Sequence, residues 1–141
     1  MRARIFLDAS ALLAGAYASP TGAMRVLIRL TFADFYLLYT NEIAVEEAER
    51  TLQRKAPEAV AIFRKLLAAM PMMIKSAPKP GLIERAQRLA APADAPLLAG
   101  ALGCKADFLV TFDRQLIASD VSSLERKLVI TTPGGMLHQP D

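Results

Sequence analysis

The chain has 141 residues, one cysteine and no tryptophan, and 17 basic against 14 acidic residues leave a net charge of +3 and a pI near 9.2. Such a length suits a single domain over residues 1–141 that buries its core without disulfide support. A lone cysteine excludes an internal disulfide, and the mild positive charge permits a nucleic-acid partner without requiring one.

The first predicted element is a strand from Ala3 to Leu7, an apolar run of the kind covered on both faces of a parallel sheet. It lies within "MRARIFLDASALLAGAYAS", which imitates a secretory signal with its basic start, apolar middle and cleavage-like Ala16-Tyr17-Ala18. Asp8 places a charge inside that would-be hydrophobic segment, and no run of about 18 apolar residues follows. A cytoplasmic protein without a membrane span is therefore expected. A helix follows from Ser10, and a second is announced by the Ser-Pro and Thr-Gly punctuation of "SPTGAMRVLIRLTFADF". Its apolar side holds Met24, Leu27, Ile28 and Thr31, with Arg25 and Arg29 off that face.

Phe35 to Thr40 reads as a short strand, and a third helix begins near Asn41 with Val45, Ala48 and Leu52 on one stripe. Pro57 opens a fourth helix with Val60, Phe63, Leu66 and Leu67 on its apolar side, which Pro71 stops. "MMIKS" is a further candidate strand, "SAPKPG" a loop, and "LIERAQRLA" a helix. A small-residue helix starts at Asp94 and carries Cys104, read as a core thiol. Then come a strand from Phe108 to Phe112, a turn and short helix in "DRQLIASD", and a last strand in "KLVITT" before "PGGMLHQPD". Strands alternating with helices predict an α/β fold with a mostly parallel central sheet flanked by helices.

Active sites of open parallel sheets collect at the carboxyl ends of the strands. Asp8 and Asp113 each stand directly after a strand and before a helix, and Asp94 opens a helix of its own. Each allows a bland reading, because aspartate is a good N-cap. If the three met at one sheet edge, their repulsion would raise their pKa values unless a cation offset it. Carboxylates without neighbouring His or Cys favour a hard ion, Mg²⁺ or Mn²⁺, over zinc, and His138 reads as a solvated tail residue. With no glycine-rich phosphate loop, no G-x-S-x-G elbow and no Cys/His pair, ion-activated water remains as the nucleophile.

Together "IFLDASALLAG", "AVEEAERTL", "DAPLLAGALGCKADFLVTFDRQL" and "LVITTPGGML" resemble the PIN domain, especially its small bacterial members of the VapC toxin kind. The resemblance covers nearly the whole chain and is strongest from Asp94 to Leu116, where an acid opens a small-residue helix and a strand ends in Thr-x-Asp. It implies an α/β/α sandwich and a divalent-metal-dependent ribonuclease. It also matches Asp8, Asp94 and Asp113 to the family's acids and Glu47 to its helix-borne glutamate. Glu42, Glu46 and Glu49 compete for that last role, since a charged helix face is usually just solvated. The register favours Glu47, with Ala44 and Thr51 expected to leave room beside it.

Arg50, Arg54 and Arg114 are candidate RNA contacts, and i,i+4 pairing such as Glu46 with Arg50 is the alternative for the first. Two positions depart from the family pattern: Ser10 replaces the usual Asn or Thr, and Gln115 stands where an acid is common. Ser10 can still orient Asp8 through its hydroxyl, while Gln115 leaves a second metal without one ligand. Thr111 is expected to hydrogen-bond near the cluster, against simple strand propensity.

The mechanism expected is hydrolysis of an RNA phosphodiester by water activated at Mg²⁺ or Mn²⁺ on Asp8, Asp94 and Asp113, leaving a 3′-hydroxyl and a 5′-phosphate. Glu47 would hold a second ion or a water of the first. One rival is a PIN-like protein that binds RNA or a partner without cutting, disfavoured because such a surface prefers basic residues. Another is a response-regulator-like or phosphatase-like protein, which would want a second acid or a placed lysine that "FLDAS" does not supply.

A toxin implies an antitoxin partner. An apolar content of 53% and a mean hydropathy of +0.28 further point to covered apolar surface. Met24, Leu27, Ile28 and Leu30 of the second helix and Phe63, Leu66, Leu67 and Met70 of the fourth suggest a homodimer.

Overall fold

Ile5, Phe6, Leu7, Leu109 and Val110 are fully buried, and strands as apolar as theirs need cover on both faces. The computed structural model describes residues 2–17 and 22–138 and provides that cover. Five strands, β1 (Ala3–Leu7), β2 (Tyr36–Asn41), β3 (Met72–Lys75), β4 (Phe108–Val110) and β5 (Val129–Thr131), form one sheet in the order β3-β2-β1-β4-β5. Every pairing is parallel, with Phe6 beside both Tyr39 and Leu109. Helices flank the sheet as an α/β/α sandwich. These are α1 (Ala9–Tyr17), α2 (Ala23–Phe32), α3 (Glu42–Lys55), α4 (Val60–Ala69), α5 (Pro80–Gln87), α6 (Ala95–Gly103), α7 (Arg114–Ile117) and α8 (Pro133–Leu137).

The periodicity of α2 is realised directly, since Met24, Leu27, Ile28 and Thr31 are its buried residues. Ala18 and the Ser19–Thr21 part of its helix-start signal lie outside the described residues. In α3 the buried stripe is Ala44, Ala48 and Leu52. Val45 is only half-buried, and Ala44, expected to leave room beside Glu47, belongs instead to the core. Of the apolar residues that suggested a dimer, Met24, Leu27, Ile28, Phe63 and Met70 are buried within the chain itself. Each contributes about 1.5–3 kcal/mol to the core.

Strand β4 and the segment after β5 differ from expectation. Strand β4 stops at Val110, and Phe112 is 49% exposed, because Thr111 turns its side chain to Asp8 and the chain leaves the sheet. Residues Pro133–Leu137 form a helix despite two glycines. Thr132 caps it by accepting a bond from the Gly135 amide at 3.0 Å, and Met136 is buried beneath it. At the other end of the sheet α6 closes with Lys105 at φ 56°, where the Ala106 amide bonds back to the Ala101 carbonyl at 2.9 Å and aims the chain into β4.

Candidate active site at the carboxyl edge of the sheet

With all strands parallel, their carboxyl ends share one edge, and the connections there carry the acids. Asp8 follows β1 directly, Asp113 lies in the turn after β4, and Glu47 occupies the second turn of α3, which starts where β2 ends. Helix α6 feeds β4 from the opposite edge, so its first turn, with Asp94 before it, returns to the edge where Asp8 and Asp113 lie.

Asp8 is 3% exposed and is held by three donors. The Ser10 hydroxyl and the Ala11 amide donate to Oδ1 at 2.7 and 2.9 Å, and the Thr111 hydroxyl donates to Oδ2. Thr111 Oγ1 in turn accepts from the Asp113 amide at 3.0 Å, and Ser10 Oγ accepts from the Phe112 amide at 2.9 Å. Two hydroxyls thus connect the turns after β1 and β4 into one frame. Burial raises the pKa of Asp8, the bonds from Thr111, Ala11 and Ser10 oppose that, and the charge of Asp113 adds to it.

The capping alternative separates the three aspartates. Asp8 bonds the Ala11 amide of α1, and Asp113 bonds the Gln115 amide of α7 at 2.9 Å, so both cap helices. Asp94 occupies the N-cap position of α6 but makes no side-chain cap bond. Its pKa is pushed up to about 6, first by burial, then by the charge and hydrogen bond of Asp113 and the charges of Asp8 and Glu47.

Glu47 sits at the exposed rim. Partial shielding from water raises its pKa, the charges of Asp8 and Asp113 raise it further, and Arg50 opposes them. Its competitors face elsewhere: Glu49 accepts two bonds from Arg64 of α4 at 2.8 and 3.2 Å, and Glu46 pairs with Arg50 at 3.9 Å. Arg50, Arg54 and Arg114 are all exposed. Gln115 is exposed too, and His138 engages the Gly134 carbonyl of its own helix at 2.6 Å. Cys104 is buried at the far end of α6, which pushes its thiol up to about 11.

Two residues of this edge escaped the sequence reading as site residues. Asn41 is 1% exposed; its Oδ1 caps α3 at the Ala44 amide, 2.9 Å away, and its Nδ2 approaches the Pro96 carbonyl of α6 at 3.5 Å. It thereby ties the helix of Glu47 to the helix of Asp94. Thr40, fully buried, donates to the Leu7 carbonyl at 2.8 Å and pins β2 beside Asp8. Asn41 carried a signal, a capping residue between a strand and an acidic helix start, whereas its link to Pro96 is visible only in three dimensions.

Among the described residues no group of three acidic, histidine or cysteine side chains is set as a ready cage for an ion. The donor set nonetheless fits Mg²⁺ or Mn²⁺. It is all oxygen, it carries uncompensated like charge, and such ions are held by one or two carboxylates while waters and phosphate oxygens complete the shell.

The chain matches the family model of the PIN domain over residues 4–115. No curated protein matches it. Among solved structures it is similar to PAE2754 from Pyrobaculum aerophilum, at 19% identity and TM-score 0.62 over 97% of this chain and 95% of that one. FitAcB from Neisseria gonorrhoeae aligns at 14% identity and TM-score 0.60, covering 96% and 99%. The sarcin-ricin loop cleaving toxin VapC20 of Mycobacterium tuberculosis aligns at 18% identity and TM-score 0.56, covering 77% and 89%. The matched region holds Asp8, Glu47, Asp94 and Asp113 and most of the parallel sheet, and by that match the chain belongs to the PIN domain family.

Proposed function

We propose that the chain is a divalent-metal-dependent endoribonuclease, a single PIN-like domain over residues 1–141, and the toxin of a toxin–antitoxin pair. The observation that carries the reading is the gathering of Asp8, Glu47, Asp94 and Asp113 at the carboxyl edge of the sheet, where Asp94 makes no cap bond to its own helix and feels the charges of the other three. Keeping like charges together at a sheet edge costs stability unless a cation or protons offset them, so an all-carboxylate cluster is best explained by the ion it holds.

Asp8, Asp94 and Asp113 would hold Mg²⁺ or Mn²⁺, with Glu47 beside them. When bound, such an ion supplies a water made acidic enough to attack and a charge that offsets the phosphate oxygens. Ser10 and Thr111 keep the Asp8 carboxylate in one orientation. Arg50, whose charge acts on Glu47, and the exposed Arg54 and Arg114 would supply cations suited to RNA phosphates. Attack of water on phosphorus forms one P–O bond and breaks the bond to the 3′ oxygen, leaving a 3′-hydroxyl and a 5′-phosphate.

The toxin assignment rests on likeness to the VapC20 toxin, and with it come an RNA substrate, an antitoxin protein and a cytoplasmic site of action. Among the described residues no helix is long and apolar enough to cross a membrane. A homodimer is part of the same proposal, resting on apolar residues that remain exposed, such as Ile62 and Phe32.

Incubating the purified protein with RNA in Mg²⁺ or Mn²⁺, with a chelator and with Asp113→Asn, tests the reading. Cleavage is expected only with the ion and the intact acid. RNA retained but uncut under both ions would replace the nuclease with a PIN-like binding protein.

A further inference from the structure

Phe112 lies between Thr111 and Asp113, next to the acids, and its side chain is 49% exposed. The other large apolar side chains exposed among the described residues lie outside the acid-bearing turns. Phe32 ends α2, Phe35 precedes β2, Ile62 is on α4, and Met73 and Ile74 are on the edge strand β3.

The backbone beneath the Phe112 ring is fixed. Three successive amides have acceptors: Thr111 at the Thr131 carbonyl at 2.9 Å, Phe112 at Ser10 Oγ at 2.9 Å and Asp113 at Thr111 Oγ1 at 3.0 Å. Of its neighbours, Thr111 donates to Asp8 and Asp113 caps α7 at the Gln115 amide. An aromatic ring on a rigid frame loses little freedom when a flat ligand covers it, and its Cα is about 3.8 Å from that of Asp113.

We propose that Phe112 is a stacking platform for a nucleobase of bound single-stranded RNA, adjoining the phosphate held at the acid cluster. The proposal rests on the ribonuclease reading and adds to it a base subsite that Arg114, two residues on and exposed, borders with a cation for the next phosphate. Bases stack on aromatic rings with little sequence preference, so Phe112 contributes affinity and register and leaves base identity to other groups.

The chain has no tryptophan, so Phe112→Trp introduces a single indole reporter. The experiment uses the full chain with Asp113→Asn to prevent turnover, Mg²⁺, a short dye-labelled single-stranded RNA, and an abasic oligonucleotide of the same length and charge. RNA is expected to quench the indole at position 112 and the abasic strand is not. Phe35→Trp, at the opposite sheet edge, should respond to neither. Phe112→Ala, with unchanged thermal unfolding, should weaken RNA binding about 5- to 150-fold by anisotropy, and Phe112→Trp should restore it.

RNA binding that leaves the indole unquenched, or that Phe112→Ala changes less than twofold, overturns the platform and leaves the ring to a protein partner. An anisotropy unchanged by RNA even with Phe112 in place overturns the RNA reading itself and this proposal with it.

Discussion

An aspartate that opens a helix either serves the helix amides or turns away from them, and Asp94 turns away. Its raised pKa fixes the sign of a pH effect. The folded state holds the Asp94 proton more tightly than the unfolded chain, whose value is near 3.8, so the stabilisation is complete below that pH and is lost as pH rises through about 6. Asp8 and Glu47, raised in the same direction, act with it. Thermal unfolding without metal should therefore show the melting temperature falling from pH 4 to pH 7, and Mg²⁺ restoring it at pH 7. Asp94→Asn should flatten that fall and gain about 1 kcal/mol at pH 7 once solvent screening is allowed for, about 3–4 °C at this chain length, while abolishing cleavage. A melting temperature that rises across that range would contradict the like-charge account. Thr111→Val tests the frame under Asp8, because it removes the donor to Asp8 and the acceptor of the Asp113 amide together. A loss of about 1–3 kcal/mol in denaturant unfolding is expected, together with loss of cleavage.

At the scale of elements, the position of Asp94 depends on how closely α6 lies on the sheet. A Cβ at Gly100 would stand 2.5 Å from Asn41 Nδ2 and 2.7 Å from the Phe6 ring, so α6 seats itself on a side-chain-free spot. Glycine to alanine in a helix ordinarily stabilises, yet Gly100→Ala should cost about 1–3 kcal/mol and reduce cleavage by shifting Asp94 and the Asn41 cap together. Gly81→Ala in α5, with nothing within 4 Å of the added Cβ, should instead gain about 0.4–1 kcal/mol and leave cleavage unchanged. Chemical denaturation of the two variants compares them, and equal effects would mean that the fit of α6 is loose. The elements themselves were largely legible. The stripe of Met24, Leu27, Ile28 and Thr31 and the run from Ala3 to Leu7 follow from local periodicity. Helix α8 was not, because its glycines oppose a helix locally and the Thr132 cap and buried Met136 supply what propensity lacks.

For the whole molecule, what the sequence could not show is which distant residues meet. The positions of Asp8, Asp94 and Asp113 relative to their own elements were legible, but that Asp94 makes no cap bond and feels the charge of Asp113 depends on α6 and β4 packing together. Covered surface was misread for the same reason. Periodicity marks residues that avoid water without saying whether the cover comes from the same chain, and most of those on α2 and α4 are covered internally. What remains for a second copy is Ile62 at 64% exposure, Phe32 at 58% and Phe35 at 62%, with Met73 and Ile74 on the edge strand β3. A stable interface needs about 800 Å² from each partner, more than any one of these residues supplies, so the dimer must join several of them. An edge strand with open backbone groups and two apolar side chains is a site where a copy could join. Light scattering over a dilution series should give twice the chain mass of 15.3 kDa at micromolar concentration. Ile74→Lys and Ile62→Glu should each shift that mass toward the monomer without unfolding the chain. A monomer mass at every concentration would remove the dimer and leave these side chains as ordinary surface, since singly exposed apolar residues need no partner. Metal-dependent cleavage measured on the same samples keeps the two claims apart, because the acids of one chain already stand together without a second copy.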